Sequence, residues 1–262
     1  KPGIGDDTRQ MGPPFLKDAR TGEDGDAAYF ICCNRGKKSL AIDFADPRGQ
    51  RIVRELARKA DVLVENYKVG GLKKYGLDYE SLREINPRLI YCSITGFGQT
   101  GPYRHRAGYD YLIQGMGGLM SVTGERDDLP GGGPQRAGLA VADLLAGMYA
   151  TTGILAALQY RDRGFGGQHI DISLLDCMVG SMANQSMNYL VTGEAPVRMG
   201  SGHPNIAPYA VYPAKDGHLV LAVGNDAQFR RLCEAIGQPA KSNDPRFSTI
   251  PDRVRNRQAL DE

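Results

Sequence analysis

The sequence has no long apolar run, no excess of either charge and no paired cysteine spacing, and each absence narrows what the protein can be. No uninterrupted apolar stretch approaches the about 20 residues that cross a bilayer, and no signal-peptide pattern is present, so no membrane partner is expected. The net charge is +2, with 32 Lys and Arg against 30 Asp and Glu. That balance lacks the clustered basic footprint a phosphate backbone needs, and the richest basic run, Arg35-Gly36-Lys37-Lys38, is short enough to be a solvated turn. No nucleic-acid partner is expected. The five cysteines, Cys32, Cys33, Cys92, Cys177 and Cys233, are odd in number and form no C-x-x-C pair. They fit neither a disulfide framework nor a zinc site, and they point to a reducing compartment, the cytoplasm or, in a eukaryote, the mitochondrial matrix.

Several chemistries are excluded by context. The four histidines, His105, His169, His203 and His218, show no H-E-x-x-H or other ligand spacing, so no metal site is expected. There is no G-x-S-x-G elbow for a serine hydrolase. GFGQTG, Gly96 to Gly101, matches G-x-G-x-x-G but runs into Pro102 and a polar stretch instead of the helix whose N-terminus would hold a pyrophosphate. Gly36-Lys37-Lys38-Ser39 resembles the end of a P-loop, yet Cys32 stands where the upstream glycine is required.

What is present is an ordinary globular composition, 41% apolar and 24% charged over 262 residues, long enough for one large domain or two. Tyr29 to Cys33 and Leu40 to Phe44 read as strands. Asp46 as N-cap and Pro47 at the first helical position open a helix with an apolar stripe of Ile52, Val53, Leu56 and Ala60. A strand at Val62 to Val64, a helix at Tyr79 to Ile85 and a strand at Leu89 to Ile94 follow. Alternating strands and helices imply βαβ units and a Rossmann-like, mostly parallel sheet: an α/β domain over residues 1–195, with a long helix at Val141 to Tyr160. A Gly/Pro-rich linker is expected at 196–207, and a smaller α+β domain begins at 208–262, with a hairpin around Lys215-Asp216-Gly217 and a helix at Asp226 to Ile236. The chain opens on a loop without an initiator Met and stops inside a charged helical pattern, so it reads as truncated at both ends.

The stretch that orders the rest is GGQHIDISLLD, Gly166 to Asp176. Ile170 and Ile172 alternate with polar neighbours as a half-buried strand does, and from Leu174 the apolar positions Leu175, Met178, Val179 and Met182 take helical spacing. Asp176 therefore falls in a first helical turn, where free N–H groups and the helix dipole favour a carboxylate. Such an Asp can handle an anion or act as a nucleophile, or it can simply complement the dipole.

Five stretches together carry a family resemblance: GDDTRQMGPPF (Gly5 to Phe15), NRGKKSLAIDFADPRG (Asn34 to Gly49), ADVLVENYKVGGLKKYGL (Ala60 to Leu77), NPRLIYCSITGFGQTGPYRHRAGYD (Asn86 to Asp110) and GGQHIDISLLD. In this order they resemble the family III CoA-transferases of CaiB/BaiF type, a group that contains the succinate-type and formyl-CoA transferases. The resemblance implies that Asp176 attacks an acyl-CoA thioester to form a mixed anhydride. It implies that Asn66 and Tyr67 hold coenzyme A, that Lys74 meets its phosphates, and that the Ile42 to Ala45 segment, with Ile42 and Asp43, lies along the adenosine end. Ala107, Gly108, Tyr109 and Asp110 would line the pantetheine path, with Asp110 near the reacting centre. Gly200 and Gly202 would form a water-excluding glycine loop and His203 would touch the acceptor carboxylate, unless that stretch is only a flexible linker. The family's interlocked assembly implies a homodimer, and against the family's pattern the first strand and its CoA-binding turn are expected to be missing from this chain. The reaction expected is CoA transfer from succinyl-CoA to a free acid such as glutarate, with coenzyme A as substrate and no prosthetic group. Two alternatives stand beside it. An α-methylacyl-CoA racemase would use Asp143 as one base, but Tyr109, a phenol and so a poor base, stands where its other base belongs. A non-catalytic CoA-binding homologue would leave Asp176 idle.

Overall fold

The computed structural model describes residues 3–261. The chain forms two compact units, Lys1–Thr95 with Ala150–Ile172, and Gly96–Tyr149 with Ser173–Glu262.

In the first unit, a short antiparallel hairpin joins β1 (Phe15–Lys17) and β2 (Asp24–Ala27). Then come α1 (Ala28–Asn34), α2 (Pro47–Lys59), β3 (Val62–Glu65), α3 (Tyr79–Ile85), β4 (Ile90–Thr95) and β5 (Gln168–Ser173), whose last residue opens the second unit. The sheet order is β3-β4-β5, with β3 and β4 parallel and Val62 opposite Ile90. Asp46 caps α2 as its sequence demands, its carboxylate accepting from the Arg48 N–H, and Pro47 takes the first turn where no donor is needed. Asn86 ends α3 and also closes α2, its side-chain amide donating to the Ala57 and Ala60 carbonyls at 3.0 Å each. Ala57, Leu72, Leu77, Leu82, Leu89 and Tyr91 form the core beneath these elements. Burial and two nearby carboxylates, Glu65 and Asp171, push the Cys92 thiol up to about 11, which leaves it an inert core thiol.

Three expectations need correction here. Tyr29 to Cys33 is helical, not a strand: a five-residue apolar run carries no period that separates the two, and with no ladder partner beside it the backbone satisfies itself locally. Leu40 to Asp43 takes no regular secondary structure and Phe44 begins a turn, for the same want of a neighbouring strand. In α2 only part of the expected stripe faces the core, since Val53 and Ala60 pack on it while Ile52 and Leu56 are exposed.

The second unit holds α4 (Asp110–Met116), α5 (Leu119–Val122), α6 (Val141–Tyr160, which continues into the first unit), α7 (Leu174–Ser181), α8 (Ala183–Thr192), β6 (Tyr209–Ala214), β7 (Gly217–Ala222), α9 (Asp226–Ala235), α10 (Ile250–Arg255) and α11 (Arg257–Asp261). β6 and β7 form the expected hairpin, with Ala214 opposite Gly217 across Lys215-Asp216. Their end of the chain has its own core, Ala207, Val223, Phe229, Cys233, Phe247 and Leu260. Arg253 is fully buried against it: the guanidinium donates to the Ala207 and Phe247 carbonyls and to Asp226, and lies 4.5 Å from the Phe229 ring centre. A buried charge is tolerated because each guanidinium nitrogen donates to an acceptor, one of them the Asp226 carboxylate.

α6 departs from what the sequence implied about apolar length. Together with the turn that follows it, Val141–Phe165 has a window of mean hydropathy 1.5, long and apolar enough to cross a membrane by length and composition. Ala, Gly and Thr, which break an unbroken apolar run, still average to high hydropathy. Only a narrow line of alanines, Ala142, Ala146, Ala150 and Ala157, is buried, while Leu144, Met148, Tyr149, Leu155 and Tyr160 are exposed.

Candidate active site

Asp176 sits where its sequence places it. β5 ends at Ser173, which becomes the N-cap of α7, and the Ser173 hydroxyl accepts from the Asp176 N–H at 3.2 Å. The Leu175 N–H donates to the Gly96 carbonyl at 3.1 Å. Two of the first-turn donors are thus occupied, and the Asp176 carboxylate, at the third helical position, is exposed. Its neighbour Cys177 is buried, and burial with the adjacent Asp176 charge raises the thiol, so the carboxylate and not the sulfur is the nucleophile on offer.

The glycines around this turn are there for contact. A Cβ on Gly96 would stand 2.5 Å from the Gly108 Cα, so the loop after β4 lies directly on the 107–110 segment, and only glycine at both places allows it. This is what Gly96 in the G-x-G-x-x-G stretch does. As expected, no helix follows that stretch. A Cβ on Gly117 would meet Met178 at 2.3 Å, which locks the end of α4 against α7.

Ala107 and Tyr109 are exposed, Tyr109 to 75%. Asp110, by contrast, is engaged. One carboxylate oxygen accepts from the Ala142 N–H at 2.9 Å, capping α6 from outside the helix, and the other accepts from the Gln114 amide at 2.8 Å. Gln114 is fully buried and satisfied, also donating to the Leu139 carbonyl at 3.2 Å and accepting from the Ala137 N–H at 2.8 Å. Partial loss of water around the carboxyl, though the residue as a whole is exposed, and the Asp110 charge raise Asp143 above its ordinary value.

Gly200, Gly202 and His203 form a bonded loop. The Gly200 N–H donates to the Gly124 carbonyl at 3.0 Å and the Gly202 N–H to the Met199 carbonyl at 2.9 Å. Beside them Arg198, largely buried, clasps both Asp127 oxygens and donates to the Met120 carbonyl at 3.0 Å. The His203 N–H donates to the Tyr209 carbonyl at 2.9 Å, and Ser201 accepts from the Val211 N–H at 3.0 Å. A stretch whose composition suggested a flexible linker is tied at both sides.

In the first unit, the expected CoA residues gather at the C-terminal end of β3. Asn66 and Tyr67 are exposed there, and the Tyr67 N–H is held by Glu65 at 2.7 Å. The Phe44 ring meets Tyr67 edge-on at 5.5 Å and Tyr75 at 5.3 Å, and the Lys74 ammonium lies 4.7 Å from the Tyr75 ring centre. Ile42 and Asp43 pack on the first turn of α2, where a Cβ on Gly49 would collide with the Asp43 carbonyl at 2.0 Å. An aromatic face with a lysine beside it can stack a base and meet phosphate charge. The sequence reading missed Tyr75, Gln114 and Arg198 as partners. Gln114, four residues after Asp110 on one helical face, was the one with a readable signal.

Comparisons with known proteins identify the family. Residues 1–262 match the family description CoA-transferase family III. The succinate–glutarate CoA-transferase of Agrobacterium fabrum is 56% identical over 95% of this chain and 61% of its own. The succinyl-CoA:glutarate CoA-transferase of Mus musculus is 45% identical over 99% of this chain and 57% of its own. The chain thus spans about three fifths of the length of these relatives. A CaiB/BaiF family protein of Brucella suis, solved by crystallography, is 55% identical, covers 98% of this chain and 66% of its own, and superposes with a TM-score of 0.80. Over its whole length, the chain belongs to CoA-transferase family III.

Proposed function

We propose that the protein transfers CoA from succinyl-CoA to a free dicarboxylic acid, with glutarate as the acceptor. The observation that carries this reading is the exposed carboxylate of Asp176 on a capped helix start at the end of β5. The names of the similar proteins supply the donor and the acceptor. Attack of the carboxylate on the thioester forms a mixed anhydride and releases the CoA thiolate. The incoming acid carboxylate then takes the acyl group from Asp176, and the thiolate attacks the new anhydride, so each hard acyl transfer is divided into easier ones. Asn66, Tyr67 and Lys74 hold coenzyme A in this scheme, with Ile42 and Asp43 along its adenosine end. Gly108 keeps backbone close to the thioester, and the bonded loop of Gly200 and Gly202 excludes water from the anhydride.

The protein is incubated with succinyl-CoA and a panel of mono- and dicarboxylic acids, and new acyl-CoA is followed by mass spectrometry. Glutaryl-CoA is expected with the native sequence and a loss of at least about a thousandfold in Asp176→Ala, the order seen when a nucleophile is removed. Normal transfer by Asp176→Ala would overturn the assignment.

The assembly proposed is a homodimer. Its support is the apolar surface left open on α6 and on α8, where Met187, Tyr189, Leu190 and Val191 are all at least half exposed.

A further inference from the structure

We propose that Cys32 and Cys33 form a two-thiol chelating site for a trivalent arsenical, a thiophilic centre that brings its own third ligand. The site lies wholly within the first unit and is independent of the acyl transfer proposed above.

The two thiols are presented by a fixed helix. The Ala28 N–H at the start of α1 donates to the Pro14 carbonyl at 3.0 Å, and the Asn34 amide at its end donates to the Phe30 carbonyl at 2.8 Å. The Arg9 guanidinium, paired with Asp26, lies 3.9 Å from the Phe30 ring centre. Cys32 and Cys33 are both exposed on this helix, whereas Cys92, Cys177 and Cys233 are buried. The Cys32 thiol donates to the Tyr29 carbonyl at 3.1 Å, and the two Sγ atoms stand 3.4 Å apart.

That separation is an open bite. Adjacent residues joined by a trans peptide have Cα atoms about 3.8 Å apart, while a disulfide usually needs about 4.4 Å or more, so the pair cannot close on itself while α1 keeps its helix. The Cys33 thiol is also raised above its ordinary value, first by its hydrogen bond with Cys32 and then by loss of water, which keeps it protonated and slow to oxidise.

Bite and ligand count together select the occupant. An atom about 2.3 Å from both sulfurs would see them at an angle of about 95°. A linear two-coordinate ion would need them about 4.6 Å apart, and tetrahedral zinc about 3.8 Å apart with two further protein ligands. Among the described residues no group of three or more His, Cys, Asp or Glu could hold a metal ion. A pyramidal three-coordinate centre meets both conditions, since its lone pair folds its bonds toward a right angle and it takes only two sulfurs from the protein. Trivalent arsenic is such a centre, and soft thiolate sulfur suits it. A monosubstituted arsenical, R–As(OH)2, exchanges two As–O bonds for two As–S bonds. Each thiol proton leaves on a hydroxide as water, and neither arsenic nor sulfur changes oxidation state. Because the second bond closes within one molecule, the pair binds about a hundredfold or more tighter than one thiol does.

The probe is phenylarsine oxide and the readout is intact mass followed by peptide mapping. The native protein is expected to gain one phenylarsenic group, to lose two thiol hydrogens, and to carry the adduct on the peptide that holds both cysteines. Excess glutathione, a monothiol, should leave that adduct in place, and a dithiol should remove it. Cys32→Ser and Cys33→Ser are each expected to weaken binding about a hundredfold or more, with thermal unfolding confirming that these exposed substitutions leave the chain folded. An adduct mapped to another cysteine, displaced by glutathione, or kept by either folded variant overturns the proposal. Conversion of the pair to a disulfide by mild peroxide, read as the loss of two hydrogens alone, overturns it as well, since the bite would then close without arsenic.

Discussion

Asp110→Asn is nearly isosteric, and the structure assigns it a large cost. Asp110 accepts two hydrogen bonds, one from the Ala142 N–H in the first turn of α6 and one from the Gln114 amide. Asparagine can supply only one acceptor oxygen. If that oxygen faces Ala142, its amide opposes the Gln114 amide, donor against donor. If it is turned over, the same conflict falls on Ala142. Gln114 cannot rotate to relieve it, since its oxygen is held by the Ala137 N–H, another obligate donor, and the residue is fully buried. One charge-assisted hydrogen bond is lost in either rotamer, about 1.5–3 kcal/mol, and the negative charge at the start of α6 is lost with it, about 0.3–1 kcal/mol. The sum, about 2–4 kcal/mol, corresponds to a fall in Tm of about 4–16 °C for a protein of this size. Thermal unfolding measured alongside CoA transfer separates two roles. A clear loss of stability identifies Asp110 as the residue that fixes the 107–110 segment and the start of α6. A variant that unfolds within about 0.5 kcal/mol of the native protein but transfers slowly would refute this reasoning and make Asp110 a group that touches substrate.

Two further outcomes follow from the same geometry. Asp143 has its carboxyl raised by partial loss of water and by the Asp110 charge, so the folded state binds its proton more tightly than the unfolded chain does. Stability then falls as pH rises from the ordinary carboxylate value of about 4 through the raised one, and Asp143→Asn is expected to flatten that slope in denaturant midpoints taken from pH 4 to 7; equal slopes in the two proteins would remove the assignment. The open apolar faces of α6 and α8 predict that light scattering gives twice the chain mass, and that Leu144→Lys with Leu190→Lys lowers it, whereas a native protein that scatters as a single chain would speak against the dimer.

How far the sequence reaches is set by how local each determinant is. The Asp46-Pro47 start of α2, the Tyr79–Ile85 helix before Asn86-Pro87, α6 from Val141 to Tyr160 and the hairpin turn at Lys215-Asp216 were all legible, because caps, prolines and periodicity act within a few residues. Tyr29 to Cys33 and Leu40 to Phe44 were not. A short apolar run is a strand only if another strand lies beside it, and that partner is a fact about the fold and not about the run. The hairpin of β1 and β2 was missed for the converse reason, since Asp24–Ala27 has a partner but no β pattern.

The candidate site divides along the same line. Asp176 could be found because a strand, a Ser N-cap and a first-turn Asp are consecutive in the chain. The other residues expected at a site meet their partners only by folding: Gly96 with Gly108 and Asp110 with Ala142 in the second unit, and Phe44 with Tyr67 and Tyr75 in the first. Glycine shows the difference most plainly. In sequence, Gly96 is the first letter of a nucleotide-binding pattern and Gly200 a letter of flexible linker. In the fold, Gly96 is the gap that admits Gly108, and Gly200 donates to Gly124 in a loop held on both sides. The meaning of a residue with no side chain lies entirely in what approaches it, so glycine is where a sequence motif carries least and a structure carries most.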